Sequence, residues 1–373
     1  MPIPIPKSQR FWRIFLLSPL LLLVIYLLIL GWTPISQSIP AQIPLSPPPP
    51  ESEAKPLPLK NIPETTPLSR PTAPSVPLLD AEFATTIPGI PDKVWQSAKD
   101  TVLSGDQLQW TRSWTEKNPS FRQELLTDKS SETFVRNRFE KTRPDIVELY
   151  NSLRVAILRA DLLRYLILLA EGGIWSDLDV TCELEVSRWN ISKVLAASNE
   201  PVVDMIVGLE FDLDWRGEGS QVASQFTNWV FAARPSSHHL EYIVDMIADK
   251  LRLIAHENGV GIDGLTLEML RQEVVDVTGP KIMTIGLLKS LSLRLEKAVD
   301  DRNFSHIKEP RLIGDVLILP GNAFAAAQNG YPDDQGEKFV SHHYSGSWKA
   351  EAAEAREKWK QEKESGKSAG KMA

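Results

Sequence analysis

Hydrophobic and polar positions divide the chain into three unlike stretches. From Ile14 to Trp32 there is no charged residue, and Leu, Ile, Val and Phe predominate. As a helix this run spans about 28 Å, close to the thickness of a bilayer's hydrocarbon core. From Thr33 to about Ala84 no hydrophobic period survives. From about Phe83 to Lys349 apolar positions recur with both helical and strand spacing.

Within the third stretch the pattern predicts alternating elements. Ile90–Gln96 reads as a first strand entering a loop. Ser120–Leu126 and Glu132–Lys141 read as helical. Ile146–Leu153 and Val155–Ala170 carry long apolar helical spacing, and Gly172-Gly173 stops the second. Ile174–Ser176 is a short buried strand that runs out into Asp177-Leu178-Asp179. Met205–Phe211 is another buried strand, and Phe226–Ala233 is apolar with strand character. His239–Ala255 is a helix with Leu240, Ile243, Val244, Ile247 and Leu251 on one face. Val316–Leu319 is strand-like before Pro320. Strands alternating with helices predict an α/β fold with a mainly parallel sheet. Ligands of such sheets sit at the carboxyl ends of strands. After Ala350, Lys, Glu and Ala dominate, as in a charged helix or a fraying tail.

Composition narrows the class. The 373 residues are 42% apolar and 24% charged with one cysteine, Cys182. That excludes a disulfide scaffold, a polytopic membrane protein and a wholly disordered chain. The net charge of −7 argues against generic nucleic-acid binding. Fourteen of the 28 prolines lie between Pro34 and Pro77. Pro-rich polar chain cannot bury a core and favours extended conformations, as in a semi-rigid stem or a plain tail. Lys7, Arg10 and Arg13 precede the uncharged run, and the first acidic residue is Glu51. The positive-inside rule then puts residues 1–13 in the cytosol, a signal anchor at 14–32 and the rest on the far side. The rival, a cleaved signal peptide, has a shorter apolar region. A span this short suits a thin early-secretory membrane. The expected organisation is a cytosolic tail (1–13), an anchor (14–32), a Pro-rich stem (33–84), a globular domain (85–349) and a charged tail (350–373). Asn190-Ile191-Ser192 and Asn303-Phe304-Ser305 are glycosylation sequons on the far side.

Asp177 and Asp179 flank Leu178 at a predicted strand end. Two carboxylates two residues apart on extended chain point the same way, and hard oxygens so placed suit Mg²⁺ or Mn²⁺ with diphosphate oxygens. Taken alone, Asp-x-Asp is equally a solvated loop. Upstream, Asp161 and Arg164 share one face of an otherwise apolar helix. They are either a surface ion pair or a polar pair facing a ligand.

The segment Ile157–Asp179 resembles the DXD-containing sugar transferases of glycosyltransferase family 32. It carries the A-D-x-x-R-Y helix (Ala160, Asp161, Arg164, Tyr165), the Gly172-Gly173 turn and the DXD of Asp177 and Asp179. Ile90–Gln96 is similar to the family's opening strand. Gly208–Trp215 and Gln225–Pro235 resemble its middle, and Thr278–Pro280 a later loop. His342–Lys349 resembles the closing motif of the fungal initiation-specific α-1,6-mannosyltransferases. Trp175 stands where Tyr or Thr is more usual, and Arg234–His239 replaces a Pro-Gly-His-Pro-like run.

The resemblance implies a GT-A-like nucleotide-sugar-binding domain behind the anchor and stem. It implies Mn²⁺ or another divalent cation, GDP-mannose as donor and retention of configuration. Asp179 is then the direct metal ligand, and Asp177 bridges metal, ribose or sugar. Asp161 and Arg164 hold sugar hydroxyls. His343 is the protein ligand at the closing loop, because imidazole suits Mn²⁺ better than Mg²⁺, and only one of His342 and His343 reaches the metal, because neighbours on an extended chain face opposite ways. Trp348 and Lys349 meet the diphosphate, Asn228 meets the sugar or is a buried structural amide, and Gln96 joins the donor site. Glu210 and Asp212, at a strand end, face the acceptor. Transfer uses a carboxylate nucleophile or a front-face route. The expected setting is a Golgi membrane protein of type II topology that extends high-mannose N-glycans, within a Golgi transferase complex. The alternatives are an inositol-phosphoceramide mannosyltransferase and a non-catalytic glycan-binding subunit of the same fold.

Overall fold

A computed structural model describes residues 85–198, 202–213, 223–270, 274–326 and 334–345. The expected anchor at 14–32, the stem, the charged tail, Trp348 and Lys349 lie outside these residues. No helix among the described residues is long and apolar enough to cross a membrane.

Ten strands are described: β1 (Lys93–Ala98), β2 (Arg122–Thr127), β3 (Gly173–Ser176), β4 (Val180–Cys182), β5 (Met205–Asp212), β6 (Ser224–Phe226), β7 (Val230–Ala233), β8 (Arg311–Ile313), β9 (Val316–Leu319) and β10 (Val340–His342). The helices are α1 (Gly105–Lys117), α2 (Asp128–Phe139), α3 (Pro144–Ser152), α4 (Ala156–Glu171), α5 (Ile191–Ala196), α6 (His238–Glu257), α7 (Val274–Val277), α8 (Pro280–Arg294) and α9 (Gly321–Ala325).

The main sheet runs β2-β1-β3-β7-β5-β9-β8, with β6 pairing β5. β1 pairs in parallel with β2 and β3, and β5 with β9. β7 is antiparallel to both β3 and β5, so β3 and β5 share a direction across it. The expectation of a mainly parallel sheet is thus met in part. Five strands point one way, but a reversed strand divides them. The segment Phe226–Ala233 also splits, with Thr227–Trp229 turning between β6 and β7.

One expected helix is a strand. Ser120–Leu126 contains most of β2, which pairs with β1 over six residues. β2 is an edge strand with no fully buried residue, so its own pattern carries little sign of the sheet. Backbone pairing along β1 overrides the weak local preference.

Alternation along the central strands feeds two cores. Trp95, Trp175, Phe231, Met205 and Ile318 join α4, α6 and α8 on one side. Val94, Ile174, Ala232, Ile206 and Leu317 face Trp189 and the α9 residue Phe324 on the other. α4 is apolar nearly all round because it is sunk in the first core. Its end is dictated by two glycines. Gly172 has φ +64° and Gly173 φ +108°, both in the left-handed region. A Cβ on Gly172 would meet Pro235 Cδ at 2.6 Å, and one on Gly173 would meet the Lys93 carbonyl at 2.8 Å. The sharp turn lets α4 lead directly into β3 and aims the Asp177–Asp179 turn off its carboxyl end.

A second, two-stranded sheet pairs β4 with β10 antiparallel, matching His342 with Val180 and Ser341 with Thr181. This pairing returns the closing segment to the Asp177–Asp179 turn across more than 160 residues of chain.

Candidate active site

Asp177 emerges from β3 with its backbone N–H donating to the Trp229 carbonyl (2.8 Å). The Trp175 indole N–H donates to Asp177 Oδ1 at 2.8 Å, so the departure at Trp175 supplies a donor that holds this carboxylate. Arg164 reaches up from α4. Its Nη2 lies 2.8 Å from Asp161 Oδ1, its Nη1 donates to the Asn228 carbonyl at 2.7 Å, and Nη1 stands 3.4 Å from Asp177. Trp175 lies under the guanidinium at 5.5 Å.

Asp161 also accepts from Thr278 Oγ1 (2.8 Å) and Asn228 Nδ2 (3.4 Å). Asp161 and Arg164 are 3% and 6% exposed. The surface ion pair considered from sequence is therefore excluded. The pair is the centre of a buried polar network, and Asp161 is spent on holding Arg164, Thr278 and Asn228. Asn228 serves the same network, with its amide on Asp161 and its carbonyl on Arg164.

The electrostatics follow from this crowding. Burial raises the Asp161 pKa, offset in part by Arg164. Burial also raises that of Asp177, and the nearby Asp179 charge adds to the rise. Burial lowers the Arg164 pKa, but Asp177 and Asp161 outweigh it and keep the guanidinium charged. Arg164 Nε is buried and has no protein partner among the described residues.

Asp179 faces the closing segment. Its Oδ2 accepts from the Ser345 backbone N–H and hydroxyl, both at 3.0 Å, and its Oδ1 lies 3.3 Å from His342 Nε2. Burial raises its pKa, but the bonds from His342 and Ser345 prevail and hold it below the ordinary carboxylate value. His343 turns the other way. Its Nε2 bonds Thr181 Oγ1 at 2.7 Å and its ring stacks on Trp110 at 4.4 Å. The expectation for His343 is corrected: the imidazole beside the carboxylates is His342. Alternation allowed only one of the two, and the β4–β10 pairing selects His342. Ser345 and Thr278 went unassigned from sequence, because each meets its carboxylate across more than 100 residues.

Two carboxylates with one imidazole form a donor set suited to Mn²⁺, which accepts both oxygen and imidazole nitrogen. A divalent cation at this turn would offset the effect of burial on Asp177.

Residues 105–196, which include Asp161, Arg164, Asp177 and Asp179, match the model of the glycosyltransferase sugar-binding region containing a DXD motif. Over these residues the chain is similar to that family. It is 31% identical over 267 residues to the initiation-specific alpha-1,6-mannosyltransferase of Schizosaccharomyces pombe, covering 70% of this chain and 64% of that one. It is 25% identical over 280 residues to the Candida albicans protein of the same name, covering 69% and 72%. It is 28% identical over 247 residues to the putative glycosyltransferase HOC1 of Saccharomyces cerevisiae, covering 63% and 59%. The chain thus spans less than two thirds of the first and third of these relatives.

Other residues expected at the site of this DXD family are placed differently. Gln96 is fully buried, follows Trp95 in β1 and so stands level with Ser176. Its Oε1 accepts from Gln123 at 2.7 Å, and its Nε2 has no protein partner among the described residues. It sits beside the Asp177 strand end without touching the Arg164 network. Asp212 does not face an open site: it accepts from Ser224 Oγ and the His306 backbone N–H and ties down β6. Asn190 and Asn303 are both exposed. The Asn303 side-chain oxygen accepts from the Asp300 backbone N–H.

The run Arg234–His239, unusual for the family, lies at the opposite end of the sheet. There Asp204, His238 and His239 offer ligand atoms within 4.8 Å of one another. Charge argues against a cation. Arg234 Nε is 2.5 Å from Asp204, Arg294 Nε is 3.2 Å from Asp315, and the N-terminus of α6 adds positive potential. Ser237 caps α6 and bonds Asp204, while His239 links Ser290 and Asp315. The cluster is a balanced structural latch. Burial raises the Asp315 pKa, but His239 and Arg294 win and hold it below its ordinary value. Its contribution to stability is therefore complete above about pH 4 and fades as pH falls through the depressed value. Asp315→Asn should lower stability at pH 7 by about 3 kcal/mol and flatten the acid limb of a melting-temperature profile. An unchanged acid limb would remove Asp315 from this role.

A further expectation separates the two imidazoles. His342→Ala should raise the Mn²⁺ concentration for half-maximal metal-dependent GDP binding by about tenfold. His343→Ala should shift it far less, since that ring bonds Thr181 and stacks on Trp110, away from the carboxylates. Titration of nucleotide fluorescence against Mn²⁺ measures both, and equal shifts would contradict the assignment.

Proposed function

We propose that this chain is a metal-dependent mannosyltransferase of GT-A-like architecture. It transfers mannose from GDP-mannose to a high-mannose N-glycan, with retention and an α-1,6 linkage. The observation that carries the reading is the convergence of Arg164, Asp177, Asp179 and His342 at the carboxyl end of β3, above the buried Asp161. The names of the similar proteins support mannose as the sugar.

Breaking the bond between a sugar and a nucleoside diphosphate builds negative charge on phosphate oxygen. A divalent cation held by Asp177, Asp179 and His342 would stabilise that charge as a Lewis acid. Arg164 is a fixed cation beside it, pre-oriented by Asp161 and Asn228. Asp161 positions that guanidinium. Ser345 and His342 tie the closing segment to Asp179.

The proposal extends to location: a Golgi membrane protein with residues 14–32 as a type II anchor, supported by Lys7, Arg10 and Arg13 before the uncharged run. The full-length chain, purified in detergent, should transfer mannose from GDP-mannose to oligomannose in the presence of Mn²⁺. Other nucleotide sugars and inositol-phosphoceramide should serve poorly. Transfer of a different sugar, or preference for the lipid acceptor, would overturn the reading.

A further inference from the structure

Trp229 is stacked on His342. Their ring centroids are 4.5 Å apart and their planes lie 27° from parallel. The Tyr344 centroid is 3.8 Å from that of His342 and 5.9 Å from that of Trp229. These three separations make nearly a right angle at His342. Tyr344 therefore stands to one side of the stack and does not sandwich the imidazole.

The imidazole depends on such a support. His342 Nε2 is 3.3 Å from Asp179 Oδ1. Its Nδ1 is buried and has no hydrogen-bond partner among the described residues. A metal-bound imidazole ordinarily donates from its second nitrogen to a carboxylate, a carbonyl or water, and that bond fixes the ring's orientation. His342 is also the last residue of β10. With no bond on Nδ1 from these residues, the direction of the ring is left to packing.

Trp229 is itself held firmly. It is buried, and its indole N–H donates to the Phe324 carbonyl at 3.3 Å. It ends the Thr227–Trp229 turn between β6 and β7. Thr227 braces that turn, its N–H donating to the Gly208 carbonyl at 2.9 Å and its hydroxyl to the Val230 carbonyl at 2.8 Å. The same turn grips the other side of the site. The Asn228 carbonyl accepts from Arg164, and the Trp229 carbonyl accepts from the Asp177 backbone N–H. One turn thus sets the guanidinium, the Asp177 backbone and the His342 ring relative to one another.

We infer that Trp229 is a positioning residue for the cation site. Its ring holds the His342 imidazole with Nε2 toward the Asp177–Asp179 turn, taking the place of a hydrogen bond on Nδ1. This rests on the reading above that Asp177, Asp179 and His342 hold a divalent cation.

The probes are Mn²⁺ and GDP bound to the full-length chain, with thermal melting as the folding control. Trp229→Met fills the space without a ring. It should raise the Mn²⁺ concentration for half-maximal GDP binding about tenfold, the change expected of His342→Ala. Trp229→Phe keeps a stacking ring and loses the indole N–H, so it should stay within about twofold of the parent. The double variant of Trp229→Met with His342→Ala should bind no more weakly than His342→Ala alone, because the tryptophan acts through the imidazole. Electron spin-echo spectroscopy of the bound Mn²⁺ reads the ligand directly. Nitrogen coupling in the parent should survive Trp229→Phe and fade in Trp229→Met. Parent-like affinity in Trp229→Met, additive losses in the double variant, or a loss of about tenfold in Trp229→Phe would each overturn the inference. If Trp229→Met does not fold, NMR of the histidine-labelled parent decides. The His342 ring protons should carry an upfield ring-current shift, and its absence overturns the inference. A parent whose GDP binding ignores Mn²⁺, or whose bound Mn²⁺ shows no nitrogen coupling, sinks the cation-site reading itself. Coupling present in the parent and unchanged in Trp229→Met sinks the positioning role alone.

Discussion

Asp179→Ala should abolish the proposed sugar transfer, with turnover down at least about 1000-fold, while the chain stays folded. The side chain lies on a turn beyond β3, and its partners are His342 and Ser345 of the closing segment rather than core residues. Removing it leaves no apolar cavity, so the melting temperature should fall by only a few degrees. In the proposed function two roles would disappear together: one carboxylate ligand for the cation, and the anchor that holds Ser345 at the site. Mn²⁺-dependent GDP binding should vanish with activity, and both are measurable on one preparation. Full turnover with metal still required would take Asp179 out of the site. A collapse of the melting temperature would show instead that the closing segment is part of the stability core.

Asp161→Asn has the second largest effect, and it acts on folding as well as chemistry. The carboxylate is the main counter-charge of a buried guanidinium and accepts from Arg164, Thr278 and Asn228. The amide keeps the shape but removes the charge and presents an N–H to one of these donors. Arg164 then keeps the Asn228 carbonyl, at 2.7 Å, and has Asp177, at 3.4 Å, as its nearest remaining carboxylate. Breaking one side of a buried ion pair costs about 3–5 kcal/mol. We expect that order of destabilisation in denaturant titration, together with turnover per folded molecule reduced about 100-fold. The second figure decides the role. If the folded fraction turns over normally, Asp161 and Arg164 are structural only. If turnover falls, the orientation of Arg164 is part of the catalytic apparatus.

Much of this was legible along the chain because it is local. The apolar period of α4, its stop at Gly172-Gly173 and the short buried β3 are written in consecutive residues. They suffice to put Asp161, Arg164, Asp177 and Asp179 at one end of one helix–strand unit. β5 and β9 are as plain, since strands covered on both faces read as unbroken apolar runs.

What stayed hidden depends on partners distant in sequence. β2 becomes a strand only because β1 is beside it. β7 reverses direction between β3 and β5 with no local signal, since an antiparallel central strand is as apolar as a parallel one. Thr278 bonds Asp161 across 117 residues. The two histidines show the limit best. Alternation determines that His342 and His343 face opposite ways, whatever the fold. Which of them faces the carboxylates depends on the side from which β4 pairs with β10, and only the tertiary structure decides it. By itself the sequence determined periods, stops and the kinds of chemical group available. Which groups meet was decided by sheet order and register, because those arise from contacts no local pattern encodes.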